Sequence, residues 1–276
     1  MNLLKVILLG IVQGLTEFLP VSSSGHLVAA GALLDVSSPG VLLEVSLHFG
    51  TLLAILAVFR RDLAELIRGG WAGTKLLLAG RGDEIRSEAP AFYTCVALAI
   101  GTIPAGLAGT MLEDYIKPLF KGNLAAAGGF LVFTGLLLAT TRYAPRGSDS
   151  RAGVGKGLGI GLAQALALLP GVSRSGVTIA AGLHLNLERE TAARFAFLLA
   201  VPALVGAQAW ELLGGAGANL SGGSWLTLAA GTAVSALVGA GALLMLMPLV
   251  RRGKLHLFAY YCIPAGLVMV GLGLLG

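Results

Sequence analysis

Two short stretches gather the residue types able to do chemistry in an otherwise apolar chain. Residues 10–31 carry Gln13, Glu17, Ser22, Ser23, Ser24 and His26, and residues 161–182 carry Ser173, Arg174 and Ser175. An ionisable side chain inside an apolar segment is costly to insert and marks a functional site by default. Gln13 and Glu17 stand four apart and share one helical face. Glu17 falls at the C-terminal end of its helix, where the macrodipole disfavours an anion, so a cation is expected beside it. Mg²⁺ commonly takes one or two carboxylates plus phosphate oxygens, which makes Glu17 and Gln13 the candidate metal ligands. The alternative for Glu17 is a protonated, hydrogen-bonded core residue.

The serines precede two short helices expected at 24–34 and 176–184, whose free N–H groups suit phosphate. Any one serine reads most simply as an N-cap. Two such caps beside a membrane-buried Arg174 are a stronger pattern, because a guanidinium fork grips phosphate bidentately. The alternative for Arg174 is a structural ion pair with Glu17. Ser23 and His26 are candidates to attack phosphorus or to activate water. A lone histidine in an apolar helix is otherwise a satisfied core residue. Glu44 and His48 form another i, i+4 pair inside an apolar segment and are candidates to line the same cavity. His184 and His256 read as structural.

The elements that must position these groups follow from composition. The 276 residues are 56% hydrophobic and 12% charged, about half the charge of a soluble domain. Mean hydropathy is +0.85. This is an all-α integral membrane protein, and the 41 glycines suit close helix approach in lipid. The net charge of +5 sits in loops beside apolar spans and calls for no nucleic acid. Cys95 and Cys262 lie within apolar spans, so neither a disulfide nor a zinc site is expected. The N-terminus superficially resembles a signal peptide, but Gln13, Glu17 and the run past Pro20 make it mature protein.

Residues 2–18 are too short for a full crossing, Pro20 breaks them, and 24–34 form a second short helix. That describes a re-entrant hairpin. Setting Leu19-Pro20 over Leu169-Pro170 shows the same order of features in both stretches, each ending Ala-Ala-Gly. The chain is therefore expected to be a single membrane domain, 1–276, built from inverted repeats 1–141 and 157–276 with a cytoplasmic linker 142–156. Each half holds one hairpin and three crossings, the spans expected near 41–59, 91–111, 124–141, 192–211, 225–248 and 256–275. Segment 60–88 is expected as a charged loop. Fifteen of the nineteen Lys and Arg fall in 60–88, 142–156, 185–194 and 251–254, which places those segments in the cytoplasm. Lys5, Lys117 and Lys121 remain outside. Inverted repeats with broken helices meet near the membrane midplane, which brings Glu17 against Arg174.

The segment Gln13-x-x-x-Glu17-Phe-Leu-Pro-Val-Ser-Ser-Ser-Gly-His26, with Pro170-Gly-Val-Ser-Arg-Ser-Gly-Val-Thr178, closely resembles the bacterial undecaprenyl-diphosphatase family. The match covers the whole chain in length, hairpin positions and number of spans. The resemblance implies removal of the terminal phosphate of undecaprenyl diphosphate, recycling the lipid carrier of cell-wall synthesis and conferring bacitracin resistance. It implicates the two motifs in catalysis, and the residues within them make Glu17, Ser23, His26 and Arg174 the candidate catalytic groups and Ser22, Ser24, Gly25, Ser173, Ser175 and Thr178 the candidates to hold phosphate. It also implies a divalent cation, Mg²⁺ or Ca²⁺, a multi-pass protein of the bacterial inner membrane, and a site opening to the periplasmic side. The family's residue matching Gln13 is often glutamate, and Gln13 cannot serve as a base. Oligomeric state stays open, a homodimer being one option. The rival from another class is a transporter or flippase of polyprenyl phosphate, since inverted repeats are transporter architecture.

Overall fold

The structure, a computed structural model, describes residues 2–34, 41–112, 115, 123–213 and 222–275. The expected outer cations Lys117 and Lys121 lie outside the described residues. Among those described, the chain is helical, with one isolated parallel bridge between Asp149 and Leu187.

The first hairpin is α1 (Leu3–Phe18) followed by α2 (Ser23–Leu33). Asn2 caps α1, its side chain accepting from the Leu4 amide at 3.0 Å. The helix stops because Pro20 drives the preceding residue out of the helical region, and Leu19 is extended at ψ 140°. At 1.5 Å per residue α1 and α2 are about 24 and 17 Å long, short of a hydrocarbon core of about 30 Å. The second hairpin repeats this design with α8 (Val154–Leu166) and α9 (Arg174–His184). Between the hairpins lie α3 (Val41–Val58), α4 (Arg60–Leu78), the short α5 (Ile85–Glu88), α6 (Ala91–Met111) and α7 (Leu124–Thr140). After them come α10 (Arg189–Leu213), α11 (Gly222–Arg251) and α12 (Ala259–Leu275). By length and apolarity α6, α7, α10, α11 and α12 can each cross a membrane, and α3 with α4 makes a sixth, bent pair.

Two expectations need correction. Segment 60–88 is not simply a charged loop: α4 is a 19-residue helix, bent by 76° from α3 at Phe59. Charge lowers its hydropathy without breaking its helical period, and Leu63 and Leu66 still reach the main core. Asp62 in its first turn and Lys75 in its last suit the dipole. The two short helices also begin earlier than expected, at Ser23 and Arg174, because the capping residues are Ser22 and Ser173.

Packing ties each hairpin to helices distant in sequence. Helix α1 lies along α11 and α8 along α6, while α7 pairs with α12. Small residues allow it: a Cβ on Gly161 of α8 would strike the backbone of Gly101 on α6. The segments expected in the cytoplasm meet at one end. Arg194 pairs with Asp62 and with Glu190 (2.9 Å), and Arg251 with Glu190 at 2.6 Å. The Asp149 backbone joins that of Asn186 and Glu188.

Candidate active site

The site forms where the two helix breaks touch. Each break contains a residue in the left-handed region, Ser22 at φ 69° and Gly171 at φ 97°. At Gly171 only glycine fits, since a Cβ there would also run into the backbone of Ala127. The breaks are tied directly, the Gly171 amide donating to Ser24 Oγ at 3.3 Å. Ser175 Oγ donates to the Leu19 carbonyl at 3.4 Å, and Cys262 Sγ to that of Pro20 at 3.2 Å. Thr134 of α7 pins the second break, its hydroxyl accepting from the Ser173 amide at 3.1 Å.

Glu17, in the last turn of α1, is the hub. One carboxylate oxygen pairs with the guanidinium of Arg174, the first residue of α9. The other accepts from Ser23 Oγ at 2.6 Å and from Gln13 Nε2 at 3.0 Å, with His48 Nε2 3.7 Å away. The Glu17 side chain is 3% exposed and that of Arg174 21%. Both charges sit at the wrong helix end, an anion at a C-terminus and a cation at an N-terminus, so each opposes its own macrodipole. The dipoles alone would not select this arrangement. Phe18 and Phe197, edge to face at 5.9 Å, line the narrow cavity beside the pair.

The remaining expected residues are close by, in differing roles. Ser22 Oγ accepts from the Gly25 amide at 3.4 Å and lies 3.3 Å from Ser24 Oγ. Ser173 caps α9 by accepting from the Gly176 amide at 3.2 Å, and Ser175 Oγ is 3.2 Å from Ser173 Oγ. Thr178 is fully buried and its hydroxyl donates back to the Arg174 carbonyl at 2.7 Å. His26 has both ring nitrogens engaged. Nδ1 lies 2.8 Å from the Ser22 carbonyl, so it carries the proton, and Nε2 lies 2.6 Å from the Tyr261 hydroxyl, which donates to it when the ring is neutral. Tyr261 stacks on the imidazole at 5.7 Å.

Both hairpin motifs and the breaks that join them fall inside one family model, that of Bacitracin resistance protein BacA, which matches residues 6–268. The chain belongs to the BacA family. Among its relatives, the undecaprenyl-diphosphatase of Desulfosudis oleivorans is 42% identical over 278 residues, 99% of this chain and 100% of the relative. The undecaprenyl-diphosphatase of Salinibacter ruber is 40% identical, over 98% of this chain and 97% of its own length. That of Thermomicrobium roseum is 42% identical, over 98% of both.

In this BacA chain the donors beside Glu17 fit a divalent cation. Gln13 is fully buried and its Oε1 has no hydrogen-bond partner, an orphaned acceptor next to a carboxylate. Among the described residues no three His, Cys, Asp or Glu side chains cluster as a metal site. A cation here would therefore lean on few protein ligands and on substrate oxygens, as Mg²⁺ commonly does.

Sequence reasoning did not find Tyr261 or Thr134. Tyr261 meets His26 across 235 residues, and Thr134 is one of two threonines in an otherwise apolar helix.

Proposed function

We propose that this chain hydrolyses undecaprenyl diphosphate to undecaprenyl phosphate and inorganic phosphate, so recycling the carrier lipid of peptidoglycan synthesis and conferring bacitracin resistance. The observation that carries the mechanism is the 2.6 Å hydrogen bond from Ser23 to Glu17 beside Arg174. Arg174 and the N-terminal amides of α2 and α9 hold the diphosphate oxygens. Ser23 Oγ attacks the terminal phosphorus and passes its proton to Glu17, while the bond from phosphorus to the bridging oxygen breaks and undecaprenyl phosphate leaves. Water then attacks the seryl phosphate, releasing inorganic phosphate, and Glu17 returns the proton to Ser23. Arg174 and the amides stabilise the charge that builds on the equatorial oxygens. A divalent cation held by Glu17 and Gln13 would neutralise phosphate charge when bound. His26, fixed by Ser22 and Tyr261, is the second acid–base group within reach of the phosphates.

The tail has an apolar route to this site. An open groove of about 610 Å³ runs between Gly129, Phe130 and Phe133 of α7 and Leu166, Leu169 and Val172 of the second hairpin. Val172 adjoins Ser173, so a polyisoprenoid keeps its chain in apolar surroundings while its head reaches the caps. Orientation in the bacterial inner membrane, with the site opening outward, is supported by the basic segments gathered at one end. The inverted-repeat reading is supported by the exchanged pairings, α1 with α11 and α8 with α6.

Transport alone needs no serine hydrogen-bonded to a carboxylate, and the relatives carry a hydrolase's name. The test is phosphate release from undecaprenyl diphosphate by purified protein in detergent. Steady release supports the hydrolase; binding of the lipid with no release returns the flippase reading.

A further inference from the structure

We propose that His48 is a direct ligand of the divalent cation at this site, which it shares with Glu17 and Gln13. The inference rests on the hydrolase reading for its purpose and shares Glu17 Oε2 with it, while the contacts of His48 are its own. His48 Nδ1 lies 2.9 Å from the backbone carbonyl of Glu44, four residues earlier on α3. A carbonyl only accepts, so Nδ1 carries the hydrogen and Nε2 of the neutral ring presents a lone pair. Nε2 stands 3.7 Å from Glu17 Oε2. That is too long for a hydrogen bond, and two electron-pair donors face each other across it. Two atoms each about 2.1 Å from one cation lie about 3.0 Å apart at a right angle and about 3.7 Å apart at 125°. The observed 3.7 Å is wider than the right-angle spacing by about 0.7 Å, so the two side chains would close by that much to share one ion at that angle.

A second observation points to the same place. Gln13 Oε1 is buried without a partner, while the nitrogen of the same amide donates to Glu17 Oε2 at 3.0 Å. The orphaned oxygen therefore belongs to the amide that already touches the carboxylate oxygen facing His48. A carboxylate, an amide oxygen and an imidazole nitrogen then form one donor set. The Glu44 carbonyl plays the supporting role usual for a metal-bound histidine, fixing tautomer and ring orientation through the other nitrogen. A nitrogen ligand also argues against Ca²⁺, which takes six to eight oxygens. In a chain where glutamine stands at position 13, His48 supplies the second strong donor that an amide cannot.

The test uses Mn²⁺ as the probe, with the purified full chain in detergent. Binding is followed by electron paramagnetic resonance, and pulsed measurements read coupling to ¹⁴N. The proposal expects one Mn²⁺ site with ¹⁴N coupling in the wild type. His48→Gln should keep an oxygen donor and lose the coupling. His48→Ala should lose the coupling and bind Mn²⁺ at least tenfold more weakly, in line with the effect of disturbing metal-site shells. His184→Asn, away from the site, should retain both, and thermal melts confirm that each variant is folded. No Mn²⁺ binding by the wild type overturns the proposal, as does ¹⁴N coupling or unchanged affinity in the His48 variants. Phosphate release at full rate by chelator-treated protein also overturns it while leaving the hydrolase reading intact. Mn²⁺ held through His48 in a protein that releases no phosphate supports the site and sinks the hydrolase reading instead.

Discussion

Removing Arg174 and Glu17 separately and together separates a phosphate clamp from a purely structural ion pair. Breaking a buried pair by deleting one partner typically costs about 3–5 kcal/mol, because an uncompensated charge stays behind. The structure makes the two halves unequal. The Glu17 side chain is 3% exposed, whereas the Arg174 side chain is 21% exposed and partly hydrated when left alone. Arg174→Met should therefore destabilise more than Glu17→Gln, with the former near the lower end of that range because Ser23 and Gln13 still donate to the carboxylate. The double variant should recover most of the loss, since no unpaired charge and no opposed dipole remain. Arg174→Lys is the decisive single change. It keeps the charge and much of the stability but loses the planar fork, so phosphate release should fall about a hundredfold, or about 3 kcal/mol. The assays are thermal unfolding in detergent and initial rates of phosphate release for all four variants. A stable Lys variant with near wild-type rate would refute the clamp and leave Arg174 as a counter-ion to Glu17.

Two further outcomes follow from particular atoms. Gly171→Ala meets both a φ of 97° and the backbone of Ala127, so it should lower stability by a few kcal/mol and disturb the Ser24 tie; Gly155→Ala, with open space around its Cβ, should not, and melts compare them. The Asp149 carboxyl is held below the usual range chiefly by its hydrogen bond from Lys156. A lowered folded-state pKa gives stability that is present above the unfolded value of about 3.9 and lost as pH falls through the folded value. Acid unfolding of the wild type should accordingly be steeper below about pH 4 than that of Asp149→Asn, and equal acid limbs would show that the pair contributes nothing.

Much of this fold is legible because lipid leaves few options. Apolar length marks the crossings, and Pro20 and Pro170 mark the breaks. The converging of Glu17 and Arg174 follows from pairing the two breaks, even though 157 residues separate them. What escapes is of two kinds. Helix α4 is hidden because its charges lower hydropathy while its leucines keep helical spacing. Helix onset is misplaced at Ser24 and Gly176 because a run of serines offers several N-caps, and only the backbone shows that Ser22 and Ser173 take the role. Tyr261 is invisible for a different reason. Nothing in its own apolar helix distinguishes it from Tyr260; the difference is that His26 stands opposite one and not the other.

The central claim is that Ser23, with Glu17 as proton acceptor, is the attacking group. The measurement that bears on it most directly is the phosphate-release rate of Ser23→Ala alongside its thermal stability. The side chain is partly buried and makes one hydrogen bond to Glu17, so its loss should leave the melt close to wild type while the rate drops by about a thousandfold or more. A folded Ser23→Ala protein that releases phosphate at the wild-type rate would contradict the account.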